Sequence, residues 1–392
     1  MKTILSVLRK EVLDNLRDRR TLLTAVLMGP LFGPLLFAVV INMSIDRALS
    51  SAESVLEVPV IGAENAPNLI NFLATRNIDV IDGPADTAAA IEAVKTGEHD
   101  VVLSIDADFG EKLSEGEPAR VQVFSDEANQ DASRDMRRVR GAVREYSGQI
   151  ASMRLFARGV SPMVMRPLNI DEVDVSTPSG RSGILLGMMS YFFIFAMLIG
   201  GMYLAIDSTA GERERGSLEP LLSLPVTRDQ LMIGKILGAC VYMALSLALS
   251  IAAFAIVLNF LPLQKLGMTP NFGPLAAVAA FFLLAPFILV GASLMTLVAS
   301  FTKSYKEAQT WVSAVLFAPT LPIMIVSILQ VRPKFEFMFI PSLSQHLLLV
   351  DMIKNEPVVP VNIAVSVVTT LVIGALFMAI SARLYRREGL LG

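Results

Sequence analysis

Residues 207–235 read DSTAGERERGSLEPLLSLPVTRDQLMIGK, between charge-free runs at 182–206 and 236–264. Each run is long enough for a helix to cross a hydrocarbon core, which takes about 20 apolar residues. The island between them alternates in sign at Glu212, Arg213, Glu214 and Arg215, then breaks at Gly216. A short amphipathic turn over 217–222 follows and Pro225 stops it, after which a second helix start leads back into apolar sequence. A charged loop between spans is commonly only a solvated connection. Here the alternating charge, combined with Leu218, Leu221 and Leu222, points to a surface on which another protein pushes.

Working outward, further charge-free runs lie at 21–45, 266–302, 308–331 and 357–382, which makes six spans. In the run at 266–302, Pro270, Gly273 and Pro274 mark a turn, so its helix is expected from Leu275. The first run contains Gly29-Pro30 and Gly33-Pro34, and prolines at that spacing predict a kinked helix packed among neighbours. The chain is 53% hydrophobic and 18% charged with mean hydropathy +0.58, where a soluble domain is about a quarter charged. Ahead of the first span, residues 1–20 place Ile4, Leu5, Leu8, Val12 and Leu16 at helical spacing among basic residues, the pattern of an amphipathic helix on a membrane surface. Glu11, Asp14 and Asp18 argue against a cleaved leader. Residues 335–350 are apolar but short and broken by Pro341, so a re-entrant or interfacial hairpin is expected there.

Residues 46–178 differ in kind. Short β-branched runs at 55–61, 78–81, 101–105 and 121–124 alternate with helical patterns at 68–76, 87–96 and 109–114. A long helix over 128–160 and a returning strand at 169–175 complete what reads as one α/β domain. From Asp46 to Asp174 the net charge is -10, and the rest of the chain carries +7. The short loops sort into 15 Lys and Arg on the side of both termini and the 207–235 island, against five on the other. By the positive-inside rule the termini and the island are cytoplasmic, and 46–178 is an extracytoplasmic domain. The expected fold is a mainly α membrane protein: six transmembrane helices, a large extracytoplasmic α/β domain between helices 1 and 2, and an N-terminal interfacial helix.

Catalysis is not expected of this chain. Gly234-Lys235 lacks the Ser or Thr and the upstream Gly of a phosphate loop. One cysteine, Cys240, and two histidines, His99 and His346, exclude a disulfide framework and a zinc site. Acids are also missing from mid-span positions, where a proton or cation relay would place them. Energy for transport would therefore come from a partner.

The run from Gly211 to Val226, continuing to Gly234-Lys235, resembles the signature of type-2 ABC exporter permeases: E-[RK]-E-x-[GK]-[ST]-x-E-x-L-L-x-x-P-[VI], then about eight residues and G-K. The layout agrees along the whole chain, and the segments at 304–309 and 341–345 resemble the NatB-like, sodium-efflux branch. The resemblance implies a non-catalytic permease in the bacterial cytoplasmic (inner) membrane, paired with a separate NatA-like ABC ATPase subunit that carries ATP and Mg2+. It implies a coupling helix over 211–225, with Glu212, Arg213, Glu214, Arg215, Gly216, Leu218, Glu219, Leu221, Leu222 and Pro225 as the docking residues. It further implies a second permease copy or homologue, membrane lipid around the body and no nucleic acid. No cofactor is expected on this chain itself. Sodium needs oxygen ligands, and the spans offer only scattered groups such as Asn42, Ser190, Gln309 and Thr310. A drug, lipid or peptide cargo fits equally well. A membrane-anchored sensor or adaptor using the outer domain is the reading from another class.

Overall fold

The computed structural model describes residues 2–17, 23–53, 55–126, 128–165, 168, 178–217, 220, 225–266, 268, 272–329, 331 and 333–385. The chain divides into two units, one of residues 1–46 with 175–392 and the other of residues 47–174.

In the larger unit, six helices are long and apolar enough to cross a membrane: Gly29–Arg47, Gly187–Glu214, Arg228–Phe260, Pro274–Ser300, Tyr305–Val326 and Pro360–Tyr385. Helix α1 (Lys2–Arg17) precedes them. A π-helical turn at Leu23–Met28 leads into α2 (Gly29–Glu53), which contains Pro34. The wider turn stands just ahead of the prolines whose missing N–H groups interrupt the helical ladder. Helix α2 continues past the end of the apolar run at Ile45, because exposed Asp46 and Arg47 keep their charges in solvent at no cost to the backbone.

After the second unit come α7 (Pro178–Ile206), α8 (Arg228–Phe260), α9 (Pro274–Ser300) and α10 (Tyr305–Phe317). Then follow α11 (Leu321–Ile328), α12 (Leu343–Ile353) and α13 (Pro360–Tyr385). The third span starts at Arg228, well ahead of the apolar run that begins at Ile236. The helix begins where Thr227 caps it by accepting a hydrogen bond from Gln230 N at 3.4 Å; of the charges in its first turns Arg228 and Asp229 are half-buried and Lys235 is buried.

The short apolar segment before the last span forms a 3-10 turn, Phe335–Phe339, and then α12. Ser342 and Gln345 make a capping box at the start of α12, with Ser342 held at φ 71. Gln345 Nε2 donates to Thr370 Oγ1 at 2.7 Å, and Ser366 donates to Ser344 at 2.8 Å, both pairs joining α12 to α13. On the other flank His346 Nδ1 is hydrogen-bonded to the Ser190 hydroxyl of α7. All of these side chains are buried. Away from water a satisfied polar group is kept and an orphaned one is costly, so these bonds hold α12 in one register.

In the smaller unit the four β-branched runs are strands: β1 (Leu56–Ile61), β2 (Ile78–Asp82), β3 (Val101–Ile105) and β4 (Val121–Ser125). They form one sheet in the order β2-β1-β3-β4, parallel between β1 and its neighbours and antiparallel between β3 and β4. Helices α3 (Pro67–Ala74), α4 (Thr87–Thr96) and α5 (Phe109–Glu115) supply the connections. Helix α6 (Gln130–Ala157) lays Met136, Val139 and Ala142 into the same core as Leu69, Leu73 and Leu103. The helix does not stay inward along its length, since Met153 near its end is 68% exposed. The strand expected at 169–175 lies outside the described residues.

Replacing Gln345 with Leu leaves Thr370, Ser344 and the Ser342 N–H short of a partner. We expect a loss of about 1–3 kcal/mol, read as a lower midpoint in thermal unfolding of the purified protein. An unchanged midpoint would show that α12 is held by apolar packing alone.

Candidate functional site

The charged island is an extension of the second span. Helix α7 runs through a π-helical turn, Asp207–Gly211, into one further helical turn, Glu212–Glu214. Gly216 ends it with φ 68, a left-handed conformation that a side chain would strain. Two backbone bonds close the end: Gly216 N donates to Arg213 O and Ser217 N donates to Glu212 O, both at 3.0 Å. π-helical turns inside α-helices recur at functional sites.

Each of the four alternating charges has its own partner. Glu212 is 6% exposed and pairs with Lys235 of α8, which is fully buried. Lys235 Nζ also donates to Ser208 O at 2.5 Å. The second carboxylate oxygen of Glu212 lies 3.4 Å from Lys10 Nζ of α1. Arg213 donates to the carbonyls of Thr302 at 2.6 Å and Ser300 at 3.0 Å, where a cation meets the negative end of the α9 dipole. Glu214 accepts from Tyr305 N at 2.6 Å, so a carboxylate caps the positive start of α10. Arg215 donates to Asp207 Oδ1 at 2.7 Å, and that bond raises its pKa against the opposing effect of burial. Glu212, Arg213 and Glu214 thus tie the end of the second span to α1, α8, α9 and α10, while Arg215 braces the span's own π-helical turn.

Helix α1 completes the joint. It packs on α8 with Glu11 and Asn15 turned inward, while Leu5 and Leu16 stay exposed. Contact is close because Gly234 has no side chain: a Cβ there would lie 2.6 Å from Val7. Tyr242 of α8 donates to Val12 O at 2.9 Å. Lys10 Nζ lies 3.1 Å from Glu11 and 3.9 Å from Asp14. Burial holds the Glu11 carboxyl above its ordinary range, opposed by Lys235 and Lys10 and reinforced by Glu212. Burial pulls Lys10 down, but Glu11 and Glu212 more than offset it, so its pKa is raised.

The residues singled out from the sequence therefore separate. Glu212 and Arg213 face inward, Glu214, Arg215, Gly216 and Pro225 are exposed, and Leu218, Glu219, Leu221 and Leu222 lie outside the described residues. Lys235, Lys10, Glu11 and the carbonyls at the end of α9 did not stand out by themselves. The only signal for them was a Gly-Lys pair at the start of an apolar helix, where a lysine is expensive unless paired. Of the weak ion-ligand candidates, Asn42 is exposed and donates to Asp46 at 3.4 Å, and Thr310 donates to its own helix at Lys306 O. Gln309 is exposed, and Ser190 is taken up by His346 and Gly187 O. Among the described residues no three His, Cys, Asp or Glu side chains cluster as a metal site would need.

A cavity of about 690 Å3 lies between α2, α7 and α10. Phe32, Phe192, Phe195, Tyr203 and Phe317 are in its lining.

The sequence pattern of the ABC-2 family transporter protein matches residues 19–383. The chain is also 27% identical over 355 residues to the ABC transporter permease protein NatB of Bacillus subtilis (strain 168), covering 87% of each chain.

Glu212→Gln leaves the Lys235 ammonium buried without its counter-charge and is expected to cost about 3–5 kcal/mol. Glu11→Gln removes a carboxylate that burial already disfavours, and is expected to be nearly neutral. Paired thermal unfolding of the two variants checks this, and equal losses would refute the division of roles. A raised carboxyl pKa means that the folded chain holds the proton more tightly than the unfolded one. That contribution is complete below the ordinary glutamate range and is lost as pH rises through the folded value. Glu11→Gln should flatten this part of the stability–pH curve.

Proposed function

The chain belongs to the ABC-2 family of transporter proteins and is the permease component of an ABC transporter; from that premise we propose that it exports its cargo under the drive of a separate ATPase docking at residues 211–225. The observation that carries this reading is the joint at residues 212–215. These residues connect the end of one span to α1 and to the ends of three other helices. Force applied just beyond Gly216 reaches four helices through bonds 2.5–3.4 Å long or shorter. In this reading 212–215 anchor the lever, and 216–225 present it to the ATPase.

The excess of Lys and Arg on the loops shared with both termini supports a cytoplasmic joint and an extracytoplasmic α/β unit. Exposed Leu5 and Leu16 support α1 lying at the membrane interface. The apolar exposure of Phe32 at 63% and Trp311 at 59% supports a second copy or a homologue beside α2 and α10.

For the cargo, resemblance to the sodium-efflux branch supports Na+. The aromatic cavity between α2, α7 and α10 supports a second reading, an amphipathic molecule such as a drug, lipid or peptide. Efflux of labelled sodium and of a lipophilic dye from vesicles holding both subunits separates the two.

ATP hydrolysis is expected only when a cassette ATPase subunit is co-purified. Glu219→Arg and Gly216→Pro are each expected to lower transport by about 5- to 150-fold with normal membrane insertion. Wild-type transport in both variants would overturn the docking assignment.

A further inference from the structure

Beside the joint, further along α8 than Lys235, lies a groove of about 410 Å3 between α1, α8 and α9. Its hollow comes from side-chain size. Cys240, Ala244 and Ala285 are small, and Leu8, Leu237 and Leu289 stand around them. The volume holds roughly a dozen methylene-sized groups, taking about 30 Å3 for each as for a water molecule.

Its surroundings are apolar where a water-facing surface would not be. Leu5 on α1 is 64% exposed, and Val241 and Leu245 on α8 are 43% and 42% exposed. Around α1, at 100° per residue, the flank that carries Leu8 continues through Val12, Leu5 and Leu16 and then meets Arg9 and Lys2. Both of these cations are exposed. The acids of α1 lie elsewhere: Glu11 is buried against α8, and Asp14 sits beside Lys10. With Glu11 turned into the helix contact, the exposed charges that this apolar flank of α1 leads to are cations, which matches one ligand chemistry, an acyl chain joined to an anionic headgroup.

We propose that this groove holds one acyl chain of an anionic phospholipid, with the phosphate at Arg9 and Lys2. The lipid would close the gap between α1 and the third and fourth spans, pressing α1 onto α8 where Lys10 meets Glu212. Membrane composition would then act on the joint itself. The proposal rests on the reading of α1 as an interfacial helix.

Native mass spectrometry of the purified full-length permease tests it, with phosphatidylglycerol and phosphatidylcholine of the same acyl chains. One phosphatidylglycerol is expected to be retained about fivefold or more over phosphatidylcholine. Arg9→Glu should abolish the preference, Arg17→Glu on the far flank should not, and glycerol 3-phosphate should not compete, because it lacks the chain. Ala244→Phe should fill the groove and remove the tight site. If that variant fails to fold, the milder Cys240→Met should still weaken retention. Equal retention of the two lipids, or no effect of Arg9→Glu, overturns the proposal. So does an Ala244→Phe variant that changes oligomeric state without changing lipid retention, which would assign the groove to a second copy. Failure of the interfacial reading shows separately: Leu5→Cys in a Cys240→Ala background would react with a membrane-impermeant thiol reagent in inside-out vesicles, where the cytoplasmic face is open to the reagent. Under the proposal that cysteine is protected.

Discussion

A fully buried lysine ammonium is the constraint on which the joint of this protein depends. Desolvating the charge of Lys235 costs several kcal/mol, and only a close carboxylate with further hydrogen bonds offsets that. Glu212 and the Ser208 carbonyl are those partners. Because Lys235 sits in the opening turns of the third span and Glu212 at the close of the second, the pair sets how far both helices extend beyond the apolar runs. It also sets the geometry of everything attached to residues 212–215.

Those attachments are directional. Arg213 meets carbonyls at the end of α9, and Glu214 meets an N–H at the start of α10. The alternating signs follow the alternating ends of antiparallel helices, since each helix presents orphan carbonyls at one terminus and orphan amides at the other. A loop with this wiring does not flex independently of the helices it touches. A π-helical turn lies just before it, where the ladder of the second span widens while its tie to Lys235 is kept through Glu212 and Ser208.

The polar seam between α7, α12 and α13 answers the same physical demand by a different route. No ion pair is used among the described residues there. Ser344, Gln345, His346, Ser366 and Thr370 satisfy one another or Ser190 within an apolar surround. Neutral hydrogen bonds cost less to bury than charges do, and a helix with few turns needs them to hold a single register.

Much of this was legible in the residues alone. Six apolar runs, four β-branched runs and the charged island are local patterns, and local patterns follow from the period of the backbone and the price of exposing apolar surface. The family motif was equally local. What the tertiary structure decided was direction. An alternating run such as Glu212 to Arg215 reads the same whether its charges face a partner protein or the chain's own helix ends, because the choice depends on residues far away at 10, 235, 300, 302 and 305. The inward turn of Glu11 and Asn15 was hidden for the same reason: helical periodicity reports which residues share a face, and only packing decides which face is buried. Sequence by itself determined the elements and the class of protein; the close approach of α1 to α8 over Gly234, and the burial of Lys235 that goes with it, decided how those elements are joined.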